Sequence, residues 1–242
     1  MVLNHIGEEI LACLRQVEEQ RQARLSDPGL GRYVEAVKAY QHGRFAESYA
    51  DLLAHARFGD AARFFLEDLY GPGDFSLRDQ QFARVVPALV RLFPRDIVET
   101  VLSLGRLHAL SEALDTAMAH SLRAHGVSSQ GGEPSGRLYG LCWRAVAGPA
   151  DRERQISLML GVGRALDNYT RNPLLRHTLR LMRAPAQAAG LAALQTFLER
   201  GFDTFRAMKG AEEFLRTIAE RERTLAAALF AGADGPDLPL SP

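Results

Sequence analysis

The sequence has little cysteine, little lysine and no excess of charge of either sign. Its 242 residues include two cysteines, Cys13 and Cys142, far apart and in no metal-binding spacing, which is typical of small buried hydrophobes. Only Lys38 and Lys209 are lysines, so arginine supplies almost all of the positive charge. The 29 basic and 29 acidic side chains cancel, and nothing global attracts a polyanion. We therefore expect no nucleic-acid partner.

Targeting and membrane signals are also missing. The first residues lack the basic region and apolar run of a signal peptide. No stretch approaches the roughly 20 apolar residues that a membrane span needs. We therefore expect a cytoplasmic protein with no membrane partner.

Helical periodicity runs through the chain, and the alternating pattern of strands is absent. The sequence predicts an all-α fold, a multi-helix bundle of about nine to ten helices in one domain over residues 1–230. A glycine- and serine-rich stretch at 126–136 predicts a linker between halves 1–125 and 136–230. Three prolines and few apolar residues predict a disordered tail at 231–242.

The segment FFLEDLYGP, residues 64–72, has the densest pattern in the chain. At 100° per residue its apolar side chains cover most of a helix circumference, which predicts a helix at the centre of the domain. Asp68 falls between Phe64 and Phe65 on the apolar arc, where a carboxylate is unexpected. Glu67 falls one turn after Arg63, a spacing that suits an ion pair.

This segment resembles the signature of the bacterial FFLEELY-motif proteins, with Asp68 in place of the second glutamate. The resemblance continues through residues 74–79 and 86–89. The family is uncharacterised, and the resemblance implies kinship without a defined activity, cofactor or fold.

Two interpretations fit Arg78 and Asp79, which follow the motif. In the structural one, Asp79 caps its helix and the guanidinium of Arg78 pairs with Asp68 or Glu67. In the functional one, Tyr70, Arg78 and Asp68 line a polar pocket that recognises an anionic ligand. Together with Phe64 and Phe65, these residues form the motif set that we examine in the structure.

The predicted long helix at about 94–125 carries a candidate metal site. An apolar stripe continues at helical spacing into His108, Glu112 and Asp115. Asp68 and Asp167 would add carboxylates from neighbouring helices, as in metal-binding helical bundles. The Glu-x-x-His spacing of di-iron bundles is absent, however, and an arginine-neutralised structural network explains the same pattern.

Haem is the second cofactor considered, with His108, His120 or His55 as the axial ligand. The sequence has no Cys-x-x-Cys-His, Gly-x-Ser-x-Gly or Walker A motif. No cofactor is therefore favoured, and enzymatic activity is left open.

The leading hypothesis is a non-catalytic interaction module whose partner is a second copy or another protein. Its basis is the wide apolar face formed by Phe197, Phe202 and Phe205. The alternative is an enzyme or sensor that binds a metal or haem in the helical bundle through the cluster of His108 and the carboxylates.

Overall fold

A computed structural model describes residues 2–69, 71, 73–126 and 133–233. Within these ranges the chain is helical and forms no β-strand, which confirms the predicted all-α fold. The helices are α1 (Val2–Ser26), α2 (Pro28–Ser48), α3 (Ala50–Ala54), α4 (Gly59–Phe64), α5 (Ser76–Leu92), α6 (Arg95–Ala124), α7 (Gly136–Val146), α8 (Pro149–Thr170), α9 (Pro173–Leu181), α10 (Arg183–Ala188), α11 (Ala192–Ala207) and α12 (Glu212–Phe230).

Most of the predicted linker (127–132) and of the predicted tail (234–242) lies outside the described residues. No helix in the described part of the chain combines the length and apolar character needed to cross a membrane.

Helix α6 is the central element of the bundle. Its 30 residues, close to the predicted 94–125, contact α1, α2, α5, α7 and α8. A helix of this length extends for about 45 Å at 1.5 Å per residue. Because neighbours surround it, polar side chains on several of its faces are drawn into the interior.

Three apolar clusters form the core. One joins α1, α5 and α6, and a second joins α2, α6, α7 and α12. The third gathers the aromatic side chains of the motif segment with α2, α8, α11 and α12. In the second cluster Tyr33 and Val37 share a core with Tyr139 and Leu229, so residues from both predicted halves are buried together.

The motif segment departs from a regular α-helix. Helix α4 ends at Phe64 and continues as a π-helical turn, Phe65–Leu69. Its i→i+5 hydrogen bonds widen the turn, so each residue rotates by less than 100°. The rotations from Phe64 to Asp68, four in number, then add up to less than 360°. Asp68 therefore lies outside the arc between the two phenylalanines. The placement predicted for Asp68 is therefore wrong because the segment is not α-helical.

Aromatic stacking fixes the π-helical turn in the core. The Phe64 ring stacks on Phe197 with centroids 5.5 Å apart, and Phe65 lies 5.7 Å from Phe214. Helix α11 approaches closely because it has Gly201 opposite Phe64. A Cβ at Gly201 would lie 2.9 Å from Phe64 Cζ, closer than such contacts allow. The predicted central position of the segment matches this burial.

Candidate functional site

Asp79, in the first turn of α5, is the centre of a buried polar network between α1, α5 and α6. Its Oδ2 accepts a hydrogen bond from Arg21 Nη2 at 2.9 Å and lies 3.0 Å from His108 Nε2. Arg78 Nη2 lies 3.4 Å from Oδ1. We call Arg21, Arg78, Asp79 and His108 the Asp79 network. The predicted capping role of Asp79 is therefore wrong, because its carboxylate bonds to side chains of α1 and α6.

The network keeps Asp79 ionised. Burial by itself raises the pKa of a carboxyl group. The hydrogen bond and electrostatic interaction with His108, the positive charge of Arg78 and the hydrogen bond from Arg21 act in the other direction and outweigh burial. The pKa of Asp79 therefore lies below its usual value, and the side chain is a carboxylate at neutral pH.

Arg78 links this network to the motif segment. Its guanidinium lies 4.3 Å from the Phe75 ring centroid and 4.6 Å from that of Phe197, a cation–π arrangement. Its Nη1 donates to the main-chain oxygen of Asp68 at 2.8 Å. The predicted pairing of Arg78 with a motif carboxylate is wrong, since the bond goes to the main chain. The predicted pocket residue Tyr70 lies outside the described residues.

The two motif carboxylates face Arg200 of α11 instead. Arg200 Nη2 lies 2.6 Å from Glu67 Oε2, and Nη1 lies 3.0 Å from Asp68 Oδ2. Burial raises the pKa of Asp68 despite the opposing charge of Arg200. Arg63 pairs with Asp60 at 2.7 Å, so the predicted Arg63–Glu67 pair is wrong.

An apolar cavity of about 120 Å³ lies beside the Asp79 network. Arg78, Asp79 and His108 form its polar end. The rest of the wall is almost entirely aliphatic or aromatic and comes from α1, the π-helical turn, α5, α6, α8 and α11; it includes Leu14, Phe65, Phe82, Val162 and Leu198. We call this space the Asp79 cavity. Asp68 is not part of its wall, so the predicted pocket is assembled differently.

Glu112, one turn after His108, faces α1 and α2. Its carboxylate lies 2.5 Å from Lys38 Nζ and 2.6 Å from Arg24 Nη2. Burial raises the pKa of Glu112, but these two cations outweigh it and hold the pKa below its usual value. Two basic groups thus neutralise the carboxylate of Glu112. Glu112 and His108 have different partners, because His108 bonds to Asp79.

Asp115 lies one turn further along α6 and is buried without such cations. Its Oδ1 accepts a hydrogen bond from Gln41 Nε2 at 3.0 Å. Its pKa is raised to about 6, mainly by burial. The charge of Lys38 lowers the pKa and the charge of Glu112 raises it, and both effects are smaller than that of burial. Asp115 is therefore partly protonated in mildly acidic solution.

Asp167, the last predicted metal ligand, has a structural partner. Its Oδ1 accepts a hydrogen bond from the main-chain N–H of Ala211, immediately before α12, and Oδ2 lies 2.6 Å from Arg171. The five predicted ligands thus go to five different sets of partners. Among the described residues, no group of three His, Cys, Asp or Glu side chains is arranged to hold a metal ion.

The three histidines considered as haem ligands do not share a cavity. His108 bonds to Asp79, His55 stacks on Phe58 with ring centroids 4.5 Å apart, and His120 is exposed. Of these, only His108 is part of the wall of the Asp79 cavity.

The Asp79–His108 pair places a carboxylate and an imidazole, 3.0 Å apart, at the polar end of the cavity. Within the described residues, the hydrogen-bond partner of His108 is Asp79. Ser111, one turn later on the cavity wall, accepts a hydrogen bond from Gln155 Nε2 at 2.9 Å. The arrangement offers a carboxylate, an imidazole and a guanidinium to a polar group on a ligand whose body is apolar.

Arg21 is the network member that sequence reasoning missed. It lies four residues after Val17, on the buried face of α1 that also carries Ile10. An arginine continuing an apolar stripe indicates a buried carboxylate nearby. That signal was present, but it did not identify Asp79 as the partner.

Comparison with known proteins gives a family and no activity. A family model with the description "Domain of unknown function (DUF8198)" matches residues 20–236. No curated protein and no solved structure matches the chain.

Proposed function

Because this chain belongs to the DUF8198 family, which has no assigned function, we propose its role from geometry: it binds a small, mainly apolar molecule without covalent chemistry. The observation that supports the proposal is the Asp79 cavity, an apolar space with an ionised network at one end. A cavity of about 150 Å³ lined by Leu, Ile and Phe stays dry and binds benzene. At about 120 Å³ the Asp79 cavity suits a ligand near that size.

We also propose the three sequence-based predictions that remain. These are kinship with the bacterial FFLEELY-motif proteins, a cytoplasmic location and a single domain over residues 1–230. The support is the motif at residues 64–70, the composition, and the apolar clusters that include residues on both sides of the predicted linker.

The test compares toluene with p-cresol, which adds one hydroxyl to the same ring. We expect both to shift backbone amide resonances of residues in the cavity wall. We expect p-cresol to bind more tightly, because its hydroxyl can donate to Asp79 or share a proton with His108. Val162→Phe should abolish binding of both, since Val162 is a buried part of the wall.

Leu77→Phe is the matched control, because Leu77 is 58 % exposed and is not part of the wall. It should bind like the wild type. If Val162→Phe does not fold by circular dichroism, Leu198→Trp replaces it, since Leu198 is 43 % exposed and lies at the rim of the cavity. Identical spectra with and without either ligand would contradict the proposal.

Phe202 and Phe205, on which the sequence-based interface prediction rested, are buried inside the chain, so that basis is wrong. Self-association is still the second candidate function, and the exposed face of α9 favours it. None of the residues of α9 is buried, and Leu174 and Leu181 are 71 % and 64 % exposed. Seven residues apart, they lie within about 20° of each other on the helix. The ion pairs Arg176–Asp203 and Arg183–Glu199 hold α9 and α10 against α11 and leave this apolar ridge exposed. Packing of the ridge against the same ridge of a second copy about a two-fold axis would cover both leucines, so the proposed partner is a second copy.

Sedimentation velocity at micromolar concentration tests this second candidate. We expect a wild-type dimer and a monomer for the double variant Leu174→Arg/Leu181→Arg, because arginine side chains would face each other across the interface. The control is Leu25→Arg/Leu92→Arg, two isolated leucines that are 67 % and 76 % exposed on other helices. A monomeric wild type, or equal dissociation by both double variants, would rule out the α9 interface.

A further inference from the structure

A second cavity of about 130 Å³ lies on the other side of Ser111 and Met159, between α2, α6, α7, α8 and α12. Aromatic and aliphatic side chains form most of its wall. Two buried charged side chains, Arg152 of α8 and Asp115 of α6, also belong to it. We call this space the Arg152 cavity. Exposed Glu47 lies on its wall and marks a route to the surface.

Arg152 is a buried cation that forms no ion pair within the described residues, although the charge of Asp115 acts on it from further away. The residue is 5 % exposed, and its guanidinium stacks on the Trp143 ring at 4.3 Å. Its hydrogen bonds go to neutral acceptors, Trp143 O at 3.3 Å and Gln155 Oε1 at 3.5 Å, and Nε has no partner in the described chain. No described carboxylate lies within 4.0 Å of it. Burying a guanidinium in this way is costly, so an anion from outside the chain would be strongly favoured here.

Asp115 is a buried anion in the same cavity. It is 9 % exposed and accepts a hydrogen bond from Gln41. No described cationic nitrogen lies within 4.0 Å of its carboxylate. Arg44, which also lines the cavity, is already engaged, because its Nη1 lies 2.7 Å from Glu222. Among its buried and described side chains, the cavity therefore presents one cation and one anion that form no ion pair.

We propose that the Arg152 cavity binds a small zwitterion, an α-amino acid with an apolar side chain. The ligand carboxylate would accept hydrogen bonds from Arg152, and its ammonium group would donate to Asp115. The apolar side chain would pack against Ile156, Met159 and the Trp143 ring. This pairing satisfies both buried charges at once, which neither a simple carboxylate nor a simple amine does.

The experiment measures heats of binding and Trp143 fluorescence with L-leucine, L-valine and L-phenylalanine. Trp143 is the only tryptophan of the chain, so intrinsic tryptophan emission reports on this cavity. Two analogues of leucine dissect the contacts: 4-methylpentanoate lacks the amine, and 3-methylbutylamine lacks the carboxylate. We expect at least one amino acid to bind. For leucine, we expect each analogue to bind about tenfold or more weakly, because each leaves one buried charge unpaired.

Two variants test which residue binds the carboxylate of the ligand and which binds its ammonium group. Arg152→Met should abolish amino-acid binding while the melting temperature stays the same or rises, because an unpaired buried charge is removed. Asp115→Asn should make leucine and 4-methylpentanoate bind equally. Circular dichroism checks that both variants fold.

Three results would overturn the proposal. They are binding of none of the three amino acids at millimolar concentration, equal wild-type affinities for leucine and 4-methylpentanoate, or unchanged affinity in Arg152→Met. The site is separate from the Asp79 cavity, and Val162→Phe serves as a check. Loss of toluene binding with retained amino-acid binding would show that the two cavities act independently.

Discussion

Replacing Asp79 by alanine should lower the free energy of unfolding by about 3–5 kcal/mol, the range for removing one partner of a buried charge network. The carboxylate sits among Arg21, Arg78 and His108, with its side chain 10 % exposed. Without it, two partly buried guanidinium groups repel each other and lose their shared carboxylate, and they keep only Glu18 and the main-chain oxygen of Asp68 as acceptors. Urea unfolding at pH 7 measures the change.

Glu67→Ala provides the comparison for this variant. Glu67 also pairs with an arginine, but both side chains of the pair are about half exposed, 50 % for Glu67 and 44 % for Arg200. Exposed pairs contribute under about 1 kcal/mol, so this variant should be nearly neutral. Similar losses in both variants would mean that the Asp79 network is not a buried charge network.

The pH dependence of Asp79 has a definite sign. Its folded-state pKa lies below the usual 3.8. The contribution of this group to stability is therefore fully present above about pH 4, and it is lost as the pH falls through the lower, folded-state pKa. The difference between wild type and Asp79→Ala should shrink only in strongly acidic solution.

Asp115→Asn should have the opposite effect and stabilise the protein at pH 8. A folded-state pKa of about 6, against 3.8 for the free group, corresponds to at most about 3 kcal/mol of destabilisation by the buried charge. Asparagine keeps an oxygen that can accept the hydrogen bond from Gln41. As the pH falls from 6 to 4, the folded wild type takes up a proton that the unfolded chain does not, and the advantage of asparagine disappears.

The neighbouring Glu112→Gln is the matched control for Asp115→Asn. Glu112 lies one turn earlier on the same helix, but Lys38 and Arg24 hold its pKa below the usual value. Its replacement should destabilise the protein at neutral pH, and this loss should fade only below about pH 4.5, the usual pKa of a glutamic acid side chain. If both variants shift stability in the same direction, the contrast between the two carboxylates is wrong.

Sequence periodicity predicts this fold well because most helices bury one face against neighbours. The predicted long helix, 94–125, ends within one residue of α6 at both ends. The motif segment was placed in the core correctly, but the placement of Asp68 failed. An α-helix rotates by 100° per residue, and the π-helical turn at Phe65–Leu69 rotates by less.

The candidate site was harder to predict, because its pairs join residues far apart in sequence. His108 and Asp79 are 29 residues apart, and Arg21 and Asp79 are 58 apart. Helical spacing shows which side chains share a face of one helix, and it carries no information about which helix lies opposite. His108, Glu112 and Asp115 share an arc of α6, yet His108 meets α5 while the other two meet α2.

Arg152 could have been found from the sequence. It lies four residues before Ile156 on the face of α8 that continues to Leu160 and Asp167, all buried. The helical spacing that predicts a buried side chain at Asp167 predicts one at Arg152 equally well. A buried arginine at one end of an apolar stripe is as informative as a buried acid at the other.

The ion pair between Lys38 and Glu112 also determines where the protein can be chemically labelled. Lys38 Nζ is held 2.5 Å from a carboxylate, and its side chain is 21 % exposed. The other lysine, Lys209, is exposed in the turn between α11 and α12, where its φ of 53° marks a left-handed conformation. Amine-directed dyes and cross-linkers should therefore react at Lys209 and the α-amino group, while Lys38 is protected. The scarcity of lysine thus gives this chain a nearly unique attachment point without any engineered cysteine.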